Sequence, residues 1–286
     1  MSSQLEKDLE AHLVANQNRD VVKYVLQQNA LVVFAEIHVG RPKKAPFFAD
    51  IVKGLSRLAS HHTHFHASEH YINDAANQVA VQNYVWADDP RSVTRARRRL
   101  SEFVLPYEPV LDAARLFPGH RYAILCAGSY ETDGDARHAA IYSAFNASIN
   151  RHNSLHSLNQ ITQLGKGNFL LGEFHATRQH TNGRAIPTTA MRLINDGWNL
   201  HIIRLTVNTP GGSTAPLTIV PGESLSLDPI GGGDTIELFP MLNRLAAKKP
   251  FVADLRGDKS PFAQVKIEGG ADIPYNQMVD AILHLP

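Results

Sequence analysis

Two short stretches of this sequence, each directly after an apolar run, set a small residue, a glutamate, an apolar residue and a histidine in that order. One is Ala35-Glu36-Ile37-His38, after the apolar run Leu31-Val32-Val33-Phe34; the other is Gly172-Glu173-Phe174-His175, after Phe169-Leu170-Leu171. A carboxylate beside an imidazole can draw a proton from water, hold a metal ion, or do both. Read as strand ends, each phrase puts its Glu and His on one face, because side chains alternate along a strand. Two such strands lying close in one sheet would bring four polar side chains to its C-terminal edge, where open parallel sheets place their ligands. Glu69, in Phe65-His66-Ala67-Ser68-Glu69-His70, is a third carboxylate at an expected strand end, with His70 expected to point the opposite way. Arg137 opens an expected helix after the loop 128–135, where a guanidinium can bind a substrate carboxylate or stabilise an oxyanion. His61, His62, His64 and His66 lack the one-face helical spacing of a zinc site and read as a polar turn leading into a strand.

Such residues need strands to carry them and helices to cover the strands. Residues 4–28 hold apolar positions at helical spacing, and 31–37 read as a strand buried on both faces. Helical periodicity follows from Pro46 to Leu58, and a strand from Phe65 to Tyr71. Residues 73–86, 91–104 and 107–117 read as helices, Tyr122 to Ala127 as a strand, and 135–151 and 154–164 as helices. The second phrase reads as a strand over 168–175, followed by a helix from Pro187 to about 196 that Gly197 ends. Further strands are expected at 201–207, 251–255 and 279–285. Strands alternating with helices point to an α/β fold, a mainly parallel central sheet flanked by helices. With no linker-like composition, residues 1–286 read as one domain: N-terminal helices over 1–29, a helical insert over 73–117, and a long loop over 208–234. That loop carries Pro210-Gly211-Gly212, Pro221-Gly222 and Gly231-Gly232-Gly233, and a loop of this length at a strand's C-terminal end is expected to act as a lid. None of its glycine clusters has dinucleotide or phosphate-loop spacing.

Composition limits the partners. With 28 basic and 27 acidic residues, the chain has no global field to attract nucleic acid or an anionic membrane, so the expected partner is a small-molecule or peptide substrate. The arginines between Arg91 and Arg99 read as a solvated helix face. A single cysteine, Cys126, excludes an internal disulfide and a cysteine-rich metal site. No apolar run approaches membrane-spanning length and no leader pattern is visible, so a cytoplasmic location is expected. The 15 histidines are roughly twice the usual share and fit metal or proton chemistry.

Taken in order, these motifs resemble the erythromycin esterase/ChaN-like superfamily, which is related to the TraB/Tiki proteins. The resemblance rests on a small residue, Glu36 and His38 after the first strand, Glu69 after the second, Arg137 after the third, and Gly172-x-x-His175 after the fourth. Gly183-Arg184-Ala185-Ile186-Pro187 and Met278-Val279-Asp280-Ala281-Ile282-Leu283-His284 extend it toward the C-terminus. Ala35 departs from the glycine usual in the family, and His138 from the acidic residue that often follows its arginine. The resemblance implies a hydrolase in which Glu36, His38, Glu69, Arg137 and His175 act on an ester or amide through an activated water. Tiki-type members imply a divalent metal, for which His38, His175 and Glu173 are the candidate ligands. ChaN-like members imply the alternative of a haem-binding protein without catalysis, for which Tyr71, Tyr130 or a cleft histidine can serve as axial ligand.

Overall fold

The computed structural model describes residues 4–37, 41–58, 63–117, 122–155, 161–162, 166–179, 186–208, 218–221, 236–257, 259–267 and 273–286. The first half runs α1 (Gln4–Asn16), β1 (Gln17–Asn18), α2 (Val21–Gln27), β2 (Leu31–Glu36), α3 (Arg41–Ser56), β3 (His64–Ile72), α4 (Ala75–Val85) and α5 (Pro90–Arg97). It continues with α6 (Glu108–Arg115), β4 (Tyr122–Gly128), α7 (Gly134–Leu155), β5 (Gly167–Gly172), α8 (Glu173–Ala176) and α9 (Thr189–Asn195). The remainder is β6 (Leu200–Val207), β7 (Thr218–Pro221), β8 (Ile236–Glu237), α10 (Leu238–Ala246), β9 (Phe251–Asp254), β10 (Val265–Ile267), α11 (Tyr275–Met278) and β11 (Ala281–Leu285).

Eight strands form one sheet in the order β1-β9-β11-β6-β2-β5-β3-β4. The six from β11 to β4 are parallel, and β9 is antiparallel to β11 and to β1. The strands read as near-continuous apolar runs because both faces are covered, and alternation deals their side chains to two cores. Val33, Ala35, Phe169, Leu171 and Ile202 join the core under α1, α7, α9 and α10. Val32, Phe34, Leu170, Ile203 and Leu205 join the core under α2, α3, α4 and α6. Asp20, Asp74, Asp89 and Thr188 cap the starts of α2, α4, α5 and α9 by accepting backbone N–H bonds. Gly197, at φ 85, turns the chain from α9 toward β6.

Several element limits differ from the sequence reading. The connection between β3 and β4 is helical, but α5 stops at Arg97 instead of running to 104. α3 starts at Arg41, so Pro46 lies inside it. Part of the expected 208–234 loop is strand: β-branched Thr218, Ile219 and Val220 lie in β7, which pairs with β10 and β8 in a second sheet. The glycine clusters of that loop lie outside the described residues.

The bulge in β3 matters most for the site. Ser68 pairs with Cys126 and Ile72 with Gly128, so β3 has two more residues than β4 over the same span. A Cβ on Gly128 would fall 2.2 Å from the Glu69 carbonyl oxygen. Only glycine lets the two backbones approach so closely, and the displaced segment carries Glu69 and His70.

Candidate functional site

Glu36 closes β2 and is 1% exposed. Its carboxylate is held on one side by the Lys44 ammonium, from the first turns of α3, and on the other by His70 Nε2. Lys44 also donates to the Ile37 carbonyl at 2.5 Å, and the His70 ring stacks on Tyr107 with centroids 5.3 Å apart. Register explains the meeting: Glu36 is level with Gly172 of β5, and Ser68 of β3 is level with Leu170. His70 therefore arrives at the height of Glu36 across one intervening strand. Below them His66 pairs with Asn168, and burial pushes the His66 imidazole down to about 4 despite that bond.

Glu69 and His70 do diverge, as alternation implies. Glu69 lies 4.0 Å from His175 Nε2, and His175 Nδ1 lies 2.9 Å from His138 Nδ1. Two Nδ1 atoms at that distance require one to donate and the other to accept, so the pair shares one proton between these positions. His138 is brought there by α7, one residue after Arg137. The Arg137 guanidinium itself is half-buried and donates to the Glu131 carbonyl at 3.2 Å.

The second Glu-x-His phrase is not a strand end. β5 stops at Gly172, and residues 173–176 form a single helical turn, α8. Two residues along a helix differ by about 200° in direction, so Glu173 and His175 part company. His175 turns to His138 and Glu69; Glu173 meets the buried Arg204 of β6 at 2.8 Å, and Arg204 Nη1 reaches the Tyr275 hydroxyl at 3.4 Å. Burial works against the Arg204 charge, but Glu173 and Tyr275 outweigh it and raise the guanidinium above its ordinary value.

Among the described residues no group of three or more His, Cys, Asp or Glu side chains is arranged to hold a metal ion. His38 lies outside them, with His61 and His62. Of the other two candidate ligands, Glu173 has a guanidinium as counter-ion and His175 faces the opposite way, so the described pair does not fit one metal centre. Tyr71 is fully buried, edge-on to Tyr107 at 6.0 Å, and burial raises its hydroxyl well above the usual range. Tyr130 is 73% exposed and donates to Asp74 at 3.0 Å.

Lys44, His70, His138 and Arg204 belong to these networks and were not chosen from the sequence as site members. Arg204 had a legible signal, a charge inside the apolar strand His201-Ile202-Ile203-Arg204-Leu205, since a charge buried on both faces needs a partner. Lys44 sits in the polar stretch 41–44, and nothing in that pattern distinguishes it from a solvated lysine.

No family model and no curated protein matches the chain. Solved structures do. A succinoglycan biosynthesis protein aligns over 100% of this chain and 98% of its own, with TM-score 0.53 and 11% identity. A Bacillus cereus protein aligns over 99% and 96%, with TM-score 0.51 and 13% identity. At such identities the likeness is one of fold. An erythromycin esterase variant in its open conformation covers 99% of this chain and 65% of its own at 10% identity, with a TM-score of 0.29, too low to argue from. No helix among the described residues is long and apolar enough to cross a membrane.

Proposed function

We propose that the chain is a hydrolase that activates water between Glu69 and His175 and directs it at an ester or amide carbonyl. The observation that carries this reading is the division of labour on the His175 ring. Its Nδ1 is engaged by His138 at 2.9 Å, while Nε2 faces the Glu69 carboxylate across 4.0 Å. A gap of 4.0 Å is too long for a direct hydrogen bond and suits a water that contacts both groups from one side. With the Nδ1 proton donated to His138, Nε2 keeps the lone pair a general base needs. His175 takes the proton of the water as its oxygen bonds to the carbonyl carbon. The same proton then passes to the leaving oxygen or nitrogen as that bond breaks. Glu69 stabilises the imidazolium formed in between. The order of motifs that resembles the erythromycin esterase/ChaN-like superfamily supports the same reaction class.

Release of 4-nitrophenol from 4-nitrophenyl acetate, with longer acyl esters and an anilide beside it, tests the reading. His175→Asn is expected to lower the rate at least about 100-fold, the scale of lost general-base catalysis. A wild-type chain inert toward the whole panel, or an unaffected variant, would overturn it.

A further inference from the structure

Arg204 is 4% exposed, yet its ion pair is incomplete. Two surface arginines bind carboxylates side-on through Nε and Nη2 together: Arg97 to Glu108 at 2.5 and 2.9 Å, and Arg244 to Glu10 at 3.3 and 3.0 Å. Arg204 gives Glu173 only Nη2, at 2.8 Å, and its buried Nε–H makes no hydrogen bond among the described residues. Fork geometry gives guanidinium–carboxylate pairs their strength. A buried donor left out of the fork is therefore costly, unless another acceptor takes its place in the working protein.

The position suits substrate. Arg204 is in register with Ala35, one residue before Glu36, and its counter-ion lies on the same helical turn as His175. Between Glu173 and His175 on that turn stands Phe174, 58% exposed, an aromatic surface next in sequence to the counter-ion of Arg204 and to the general base. α8 is only four residues long, so the Glu173 side chain can swing away without disturbing a larger element. Exchanging one carboxylate for another also preserves the neutrality of the buried pair, which removal of either charge would not.

We propose that Arg204 is the anion-binding residue of the site: it takes a carboxylate of the substrate through Nε and Nη2, displacing Glu173. The substrate class is then a carboxylate beside an aromatic or apolar group that packs on Phe174. Arg137, half-buried and turned to the Glu131 carbonyl, does not share this role. The inference takes its placement from the hydrolase reading, but its test reads binding alone.

The probe is benzoate, titrated into the full chain by calorimetry, with benzamide as the uncharged isostere. Benzoate is expected to bind at least tenfold more tightly than benzamide. Arg204→Gln should abolish that preference, and Arg137→Gln should retain it. Glu173→Gln should tighten benzoate several-fold, because the competing carboxylate is gone; a salt bridge with only a structural role would give no such gain. Should Arg204→Gln fail to fold by circular dichroism, the Glu173→Gln titration and the wild-type comparison decide the matter. Equal binding of the two probes, binding of neither, or unchanged benzoate affinity in Glu173→Gln would overturn the proposal. Ester hydrolysis persisting alongside such a result would leave the hydrolase reading standing. A retained benzoate preference in a protein that hydrolyses nothing would separate the two the other way.

Discussion

The two copies of the Glu-x-His phrase end in different local structures, and their glutamates have different surroundings. Glu36 closes a strand and is enclosed by Lys44 and His70, each of which spends a charge-assisted bond on it. Glu173 opens a helical turn and holds one arm of an arginine that keeps a further donor in reserve. The first arrangement is saturated and braces the sheet edge from the α3 side. On the α7 side lie the second arrangement and the adjacent Glu69, His175 and His138 group. The same four-residue phrase thus serves as a brace in one place and as candidate chemistry in the other. The deciding factor is whether the chain continues as strand or turns into helix after the small residue.

The largest effect should come from breaking the brace. Lys44→Met leaves the Glu36 carboxylate buried without its ammonium counter-ion, and urea unfolding is expected to show a loss of about 3–5 kcal/mol. Replacing both, Lys44→Met with Glu36→Leu, removes the stranded charge as well and should recover most of that loss. A single variant as stable as the wild type would mean the ion pair is no brace, and the contrast between the two motif copies would collapse.

Next is the bulge that both arrangements share, since it sends Glu69 to one face and His70 to the other. Gly128→Ala places a methyl 2.2 Å from the Glu69 carbonyl oxygen, which the β3 backbone must move to avoid. A stability loss of about 2–3 kcal/mol is expected from such overpacking, together with loss of hydrolysis, because Glu69 moves with its backbone. Stability lost without activity lost would separate the bulge from the site.

Acid should weaken the braced side by a comparable amount. His66 is held near 4 by burial, with His70 adding to the effect and the Asn168 bond opposing it. In the unfolded chain the same ring titrates near 6.5. The neutral ring's contribution to stability is therefore complete above about pH 6.5, falls away between 6.5 and 4, and changes no further below 4. Between pH 7 and pH 4.5 this one ring accounts for about 2–3 kcal/mol. His66→Gln should flatten the stability–pH curve by that amount. A curve of unchanged slope would place the proton uptake elsewhere, with His201 and His284, also pushed down to about 4, as the next to substitute.

Much of the sheet was readable because doubly buried parallel strands are largely apolar. The runs at 31–36, 64–72, 122–128, 167–172 and 200–207 stand out against their polar helices. The short strands did not: Gln17–Asn18 and Ile236–Glu237 have two residues each, too few for any period to show. At the candidate site, residue types were legible and directions were not. Glu69, Glu173 and His175 were identified as polar groups at strand ends, but Gly172 gives no sign that the next turn is helical. The partners of all three come from residues distant in the sequence. Arg137 illustrates the limit: its helix and its place after β4 were foreseen, yet the neighbouring His138 is the residue that faces His175, since one residue along a helix turns a side chain by about 100°.

The smallest effect on stability should come from His138, and it sharpens the comparison most. His138→Gln keeps an amide oxygen able to accept the His175 Nδ1 proton, so the cost in unfolding free energy is expected to stay below about 1 kcal/mol, within the range for a hydrogen bond that is replaced rather than lost. Catalysis should respond differently. A glutamine reaches Nδ1 with a longer, more mobile side chain, and it cannot exchange protons with His175 as an imidazole can. Hydrolysis of 4-nitrophenyl acetate is therefore expected to fall about tenfold, a fraction of the loss in His175→Asn. On the braced side the pattern should invert, with Lys44→Met costing far more stability than His138→Gln. If instead His138→Gln unfolds the chain while leaving the rate per folded molecule unchanged, His138 and His175 form a second brace, and the contrast drawn from the two motif copies is wrong.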